Sequence, residues 1–268
     1  MADNGDRKKS HFWLWLLAIF TWLAVWQLAY WLIGRDLLLA SPVQVGTRLA
    51  AMAVDGIFWL TALLSLLRIL LGFALGLLAG TALAIMTASS RMLSAIFKPA
   101  IGAIRATPVA SFIILALVWM SSNRVVIFIV FLMVMPVIWA NVSEGIRKTD
   151  PQLLEMAKVF GLKRSQIIRQ IYIPSISPFF IAAATTGMGL GWKAGIAAEV
   201  LSTPRLSLGG ELFNAKIYLE TPDLLAFTLV VIILSLVLEK LLVHLLRRTE
   251  GYFRRHGRMN VLKGGGET

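Results

Sequence analysis

The chain has 268 residues, 58% of them hydrophobic and 15% charged, with a formal net charge of +12. Soluble domains run at about 45–50% apolar and about 25% charged, so this composition excludes an ordinary soluble protein. Six spans of about 20 residues fill most of the length, leaving no expected room for a nucleotide-hydrolysing domain, and the lack of cysteine removes disulfides, zinc–thiolate cages and thiol nucleophiles.

In chain order, a short basic tail (1–11, with Arg7-Lys8-Lys9) precedes the first apolar run at 12–33. That run is longer than the 7–15 residues of a signal-peptide core, which predicts a retained span. Trp13, Trp15, Trp22, Trp26 and Trp31 suit interfacial anchoring and lipid contact. Further runs at 59–87, 101–120, 125–141, 173–198 and 224–246 predict an all-α membrane protein of six transmembrane helices. Lys and Arg concentrate in 1–11, 88–100, 142–172 and 247–268, while the alternate connections are close to neutral. The positive-inside bias therefore predicts N-in and C-in termini, and it accounts for the basic excess without nucleic acid. Gly72, Gly76, Gly80, Ala84 and Ala88, and again Ala183, Gly187, Gly191 and Gly195, recur every four residues. Such small-residue stripes let another helix backbone approach, here for packing within one subunit.

Enzymatic signatures are missing. There is no phosphate-binding G-x-x-x-x-G-K-[ST] loop, no H-E-x-x-H helix and no G-x-S-x-G elbow, and His11, His244 and His256 are too scattered for a metal or catalytic cluster. The charges within or near spans are the polar residues of interest, because each costs at least about 2.5–3.5 kcal/mol in hydrocarbon and turns toward protein or water. They are Arg68, Arg105, Lys193 and Glu199. Arg105 lies beside Thr107-Pro108, where proline loosens helical hydrogen bonding, and Lys193 follows Trp192 in a glycine-rich helix. Lined along a path with Trp119 and Trp192, Arg105 and Lys193 would suit an anionic solute; the competing expectation, favoured for Arg68, is internal pairing with a helix C-terminus or with Glu199. The acidic stretch holding Glu199, Glu211, Glu220 and Asp223 is either a receiving surface or a solvated loop.

The connection 143–174 is too long for a helix hairpin. Asp150-Pro151 reads as an N-cap followed by a first-turn proline, Gly161 as a left-handed C-cap, and Lys163–Ile171 as a second short helix before Pro174. Two such helices form either a partner surface or, through Lys158, Lys163, Arg164 and Arg169, a support on anionic lipid. The segment EMAKVFGLKRSQIIRQIYIP resembles the EAA loop of the membrane subunits of binding-protein-dependent ABC importers. Glu155, Ala157, Gly161, Ile171 and Pro174 stand at the motif's spacing, with Met156 replacing its second residue and Ile173 its usual Leu. SLLRILLGFALG (65–76), RATPVASF (105–112) and GWKAGIAAEVLS (191–202) resemble the sulfonate, taurine and nitrate permease subgroup.

The resemblance implies a permease core over 59–246 whose loop at 143–174 is a coupling helix docking on a cytoplasmic ATPase dimer, with ATP and Mg held by that partner and no cofactor on this chain. It also implies an extracytoplasmic solute-binding protein, a second copy of the chain, and a bacterial inner-membrane location. The alternative expectation is a secondary transporter driven by an ion gradient, although Glu199 and Glu239 are its only acidic candidates in or near spans and no repeat is evident. The basic tail at 247–268 is expected to be a flexible extension near anionic headgroups.

Overall fold

The computed structural model describes residues 4–264, with side-chain surroundings for residues 13–246 except Trp15. Among these residues it is helical with no strands. The first helix, α1 (Asn4–Ile33), reaches the rest of the fold through its C-terminal end, where Trp26 donates to the Ala40 carbonyl at 3.1 Å. A short helix absent from the sequence expectation follows, α2 (Pro42–Ala53). Ser41 caps it through a reciprocal box with Gln44, and Pro42 occupies its first turn.

Two long helices, α3 (Gly56–Ser89) and α6 (Ser122–Arg147), form the centre. A Cβ at Gly72 would lie 2.5 Å from the Ile127 carbonyl oxygen and 2.7 Å from Val130 Cβ; at Gly76 and Gly80 it would meet Val134 and Ile138. The register rises in both chains together, so α3 and α6 run parallel. The helix α9 (Ile173–Ser202) packs on both in the opposite sense, Gly187 facing Val134 and Ile138, and Gly195 facing Ile69 and Val130. Both small-residue stripes are thus used inside one subunit. In lipid, where helix association gains little from the hydrophobic effect, this close approach supplies the dispersion contacts that hold the bundle.

Between α3 and α6 the expected straight span at 101–120 is broken. Helices α4 (Arg91–Ala106) and α5 (Val109–Leu117) meet at a 98° bend. Thr107 and Pro108 both have extended backbone there, the conformation to which a following proline restricts its neighbour. Among the described residues, five helices are long and apolar enough to cross a membrane, six if the bent pair counts as one.

After α6 come α7 (Pro151–Val159) and α8 (Arg164–Ile167). The expected second surface helix is not separate: α8 passes through a π-helical turn (Ile168–Tyr172) directly into α9, and the π turn stands immediately before Pro174, whose missing N–H interrupts the helical hydrogen bonding there. Helix α10 (Leu208–Ile217) and the long α11 (Thr221–Gly264) complete the chain. The tail expected to be flexible is helical as far as Gly264; residues 1–3 and 265–268 of the two tails lie outside the described residues.

Candidate functional site

Helix α7 is built as its sequence predicts. Asp150 accepts from the Gln152 N–H at 2.8 Å, and the C-terminus closes as a Schellman motif. Leu162 N–H donates to the Ala157 carbonyl (2.9 Å) and Gly161 N–H to that of Lys158 (3.1 Å), with Gly161 at φ +62°. No atom lies within 4 Å of a Cβ placed at Gly161, so only backbone conformation restricts this position. The motif residues divide into two sets. Ala157 (1% exposed) and Ile171 are buried, while Glu155, Met156, Gly161 and Pro174 are exposed. Val159 (85% exposed) and Phe160 (73%) also face outward, an apolar surface without a partner among the described residues.

The C-terminal end of α6, which leads into α7, carries Glu144 paired with Arg147 and with Lys148 (3.4 Å). Lys148 also stands 5.8 Å above the Phe179 ring of α9, and a Cβ at Gly145 would meet that ring at 3.1 Å. α6 and α9 are therefore joined near the end of the bundle at which the chain passes from α6 into α7.

The opposite end is closed around Glu199, which is fully buried. Its carboxylate accepts from Ser65 Oγ (2.8 Å), Arg68 (3.2 Å) and the Gly209 N–H (3.1 Å). Ser65 Oγ accepts in turn from the Leu208 N–H at 2.9 Å, so carboxylate and hydroxyl together satisfy the first turn of α10. Arg68 continues to the carbonyls of Arg205 (2.9 Å) and Leu206 (3.1 Å), clamping a loop in which Thr203 and Leu206 both have positive φ. Glu199, expected beside a path or on an acidic surface, is instead enclosed and saturated with donors, the internal pairing weighed for Arg68. Asp223, from the same acidic stretch, is bound by Arg48 of α2. Burial pushes the Glu211 carboxyl above the ordinary carboxylate range, against a hydrogen bond from Asn214.

The other expected path residues lie apart. Arg105, Thr107 and Pro108 sit at the α4–α5 bend, with Arg105 exposed and the Thr107 hydroxyl bonded to the Ala103 carbonyl (2.8 Å). Trp119 is exposed just beyond α5. Lys193 is exposed on α9, whereas Trp192 is 2% exposed and donates to the Val231 carbonyl of α11 (3.2 Å). No hydrogen bond or ion pair joins Arg105 to Lys193 among the described residues. Sequence reasoning missed Ser65, although its spacing of three from Arg68 places the two on one helix face. It also missed Arg48, whose partner is 175 residues away.

The fold, a parallel helix pair crossed by an antiparallel third helix with a short surface helix at one end, is that of an ABC transporter permease. It is similar to a crystal structure of an amino acid ABC transporter with histidines, with a TM-score of 0.57 and 18% identity over 69% of this chain and 91% of that one. Residues 72–251 match the family described as the binding-protein-dependent transport system inner membrane component, and the chain belongs to this family. The Escherichia coli permease SsuC, assigned to aliphatic sulfonates transport, is 31% identical over 85% of this chain and 88% of its own. The bicarbonate transport system permease protein CmpB of Synechococcus elongatus is 25% identical over 72% of this chain and 69% of its own. The Escherichia coli taurine transport system permease protein TauC is 26% identical over 83% of each. The protein is therefore a multi-pass inner-membrane transport component, of a family that transports rather than catalyses.

Proposed function

We propose that this chain is the membrane-spanning subunit of an ATP-driven importer for a small anionic solute, working as a homodimer with an ABC ATPase dimer and an extracytoplasmic solute-binding protein. The observation that carries the reading is α7: a capped helix with an exposed apolar surface, in the connection between α6 and α9. In this account the α7 end is cytoplasmic, in keeping with the basic inner segments. Glu155, Met156 and Gly161 present the surface that meets the ATPase. Closure of the ATPase pair on ATP displaces α7, and the unbroken backbone from Arg164 to Ser202 carries that displacement along α9 to the Glu199 clamp. ATP and Mg stay on the partner.

The solute class is argued from Lys193, an exposed cation on the candidate span that includes α9, and Arg105, an exposed cation on the first half of the bent pair α4–α5. The Thr107-Pro108 bend next to Arg105 and the exposed Trp119 beyond α5 are further path residues, and Trp192 precedes Lys193 on α9. Relatives named for sulfonate, taurine and bicarbonate support an anion or zwitterion.

Affinity purification of the tagged chain from its native membrane, beside Gly161→Asp, tests the coupling reading. The wild type is expected to bring down an ATPase with measurable ATP hydrolysis, and the equally folded variant to lose it. Recovery of equal ATPase with both would remove α7 from the contact. For the path, Arg105→Ala and Lys193→Ala are expected to weaken solute transport at unchanged complex yield; unaltered transport in both would end the anion-path assignment.

A further inference from the structure

A second polar feature lies near the α7 end, between α3, α4 and α6, and none of the expected path residues belongs to it. It is a cleft of about 440 Å³, a size within the roughly 300–1,000 Å³ range of small-molecule sites. Its polar lining includes Ser94 and the exposed Lys98 of α4 with Ser143, Glu144 and Arg147 of α6. The floor is apolar: Ala88, Ala140, Ile146 and the Trp139 ring, whose indole N–H is already given to Thr87 Oγ1 at 3.0 Å.

Two groups are left without partners. Ser143 Oγ is buried and makes no hydrogen bond, not even the bond to the carbonyl four residues back that helical serines commonly use. A buried hydroxyl without a partner is destabilising unless something occupies the cleft beside it. Lys98 has no ion-pair partner among the described residues, and the one acid in the cleft, Glu144, is taken by Arg147 and Lys148. The local balance is therefore cationic. Arg91, Lys98 and Arg105 also recur every seven residues along α4. Two turns per step puts them on nearly one face about 10 Å apart, leading from the cleft to the Thr107-Pro108 bend.

We propose that this cleft is a binding station for a small organic oxyanion, the head held by Lys98, Ser94 and Ser143 and a short apolar tail laid on Trp139 and Ile146. The assignment rests on the importer reading and adds to it a discrete site at the exit end, fed along the cations of α4. A bare inorganic anion would leave the apolar floor unused, so a sulfonate with a short alkyl chain fits better than bicarbonate.

The test is a fluorescence titration of the full chain in phosphatidylcholine nanodiscs, which supply no anionic headgroup, with ethanesulfonate and with bicarbonate at constant ionic strength. A saturable change is expected with ethanesulfonate, weaker with bicarbonate, and absent from Trp139→Phe. Lys98→Gln is expected to weaken binding about tenfold, through loss of a charge-assisted bond; Ser143→Ala weakens it less, and Lys98→Arg retains it. No saturable change, or one unaltered by Lys98→Gln, overturns the assignment, as does bicarbonate binding as tightly as ethanesulfonate. Co-purification of the ATPase from the same preparations separates the two readings. Loss of the ATPase from the wild type sinks the importer account, whereas a bound ATPase with an indifferent Lys98→Gln titration sinks the cleft alone.

Discussion

Glu199 shows how a charge in an apolar helix is accommodated. Buried from solvent, each carboxylate oxygen finds a donor, one from Ser65 and the Gly209 N–H and the other from Arg68. Removing one member leaves the rest buried and short of partners. Arg68→Ala is expected to cost roughly 3 kcal/mol, as a buried pair broken on one side does, read as a large drop in melting temperature in detergent. An unchanged melting temperature would mean that the clamp does not support the fold. Glu211, outside the spans, gives a pH effect. Its carboxyl is raised by burial, so the stability it contributes is full below the ordinary carboxylate pKa and lost as pH rises through its raised value. Glu211→Gln should flatten that decline and raise the melting temperature at neutral pH; a decline of the same size in the variant would contradict this. The sequence alone marked Glu199 and Arg68 as charges needing partners. It did not mark Ser65, because a serine within an apolar run carries no signal until the loop whose N–H it accepts is folded over it.

At the scale of elements, the four-residue glycine spacing was legible because it has one physical use in a membrane helix. Gly72→Ala places a methyl 2.5 Å from the Ile127 carbonyl oxygen, and the α3–α6 pair must part. We expect a loss of about 1–3 kcal/mol, the range of overpacked cores, seen as reduced folded yield. Gly102→Ala, with open space at its Cβ, should be neutral or stabilising by up to about 1 kcal/mol through helix propensity. Equal behaviour of the two would refute the close-packing account. The bend at Thr107-Pro108 was only half legible: the proline was visible, but hydropathy over 101–120 is the same whether a span is straight or turns by 98°. Helix α2 announced itself by Ser41-Pro42 and Gln44, a capping box that a search for long apolar runs passes over. The continuity of α8 with α9 was hidden by Pro174, which reads as a break but follows a π-helical turn inside a continuous helix.

For the whole molecule, the all-helical membrane class and the family followed from composition and one 20-residue segment, since each reflects a constraint local in sequence, whereas the sixth span depends on counting the bent α4–α5 pair as one. The arrangement of charges did not, because it is set by partners such as Arg48 and Asp223 at opposite ends of the chain. The central claim is that α7 is where this permease receives the motion of an ATPase. The chain has no cysteine, so a single introduced thiol reports one place. The decisive measurement is photo-crosslinking from Met156→Cys, carrying a benzophenone maleimide, in the complex purified with its ATPase, beside Trp119→Cys as an exposed site away from α7. The account predicts a crosslink to the ATPase from position 156 whose yield changes on adding ATP and Mg, and none from position 119. An ATPase retained in the complex but never captured from position 156, or captured equally from both positions, would contradict it.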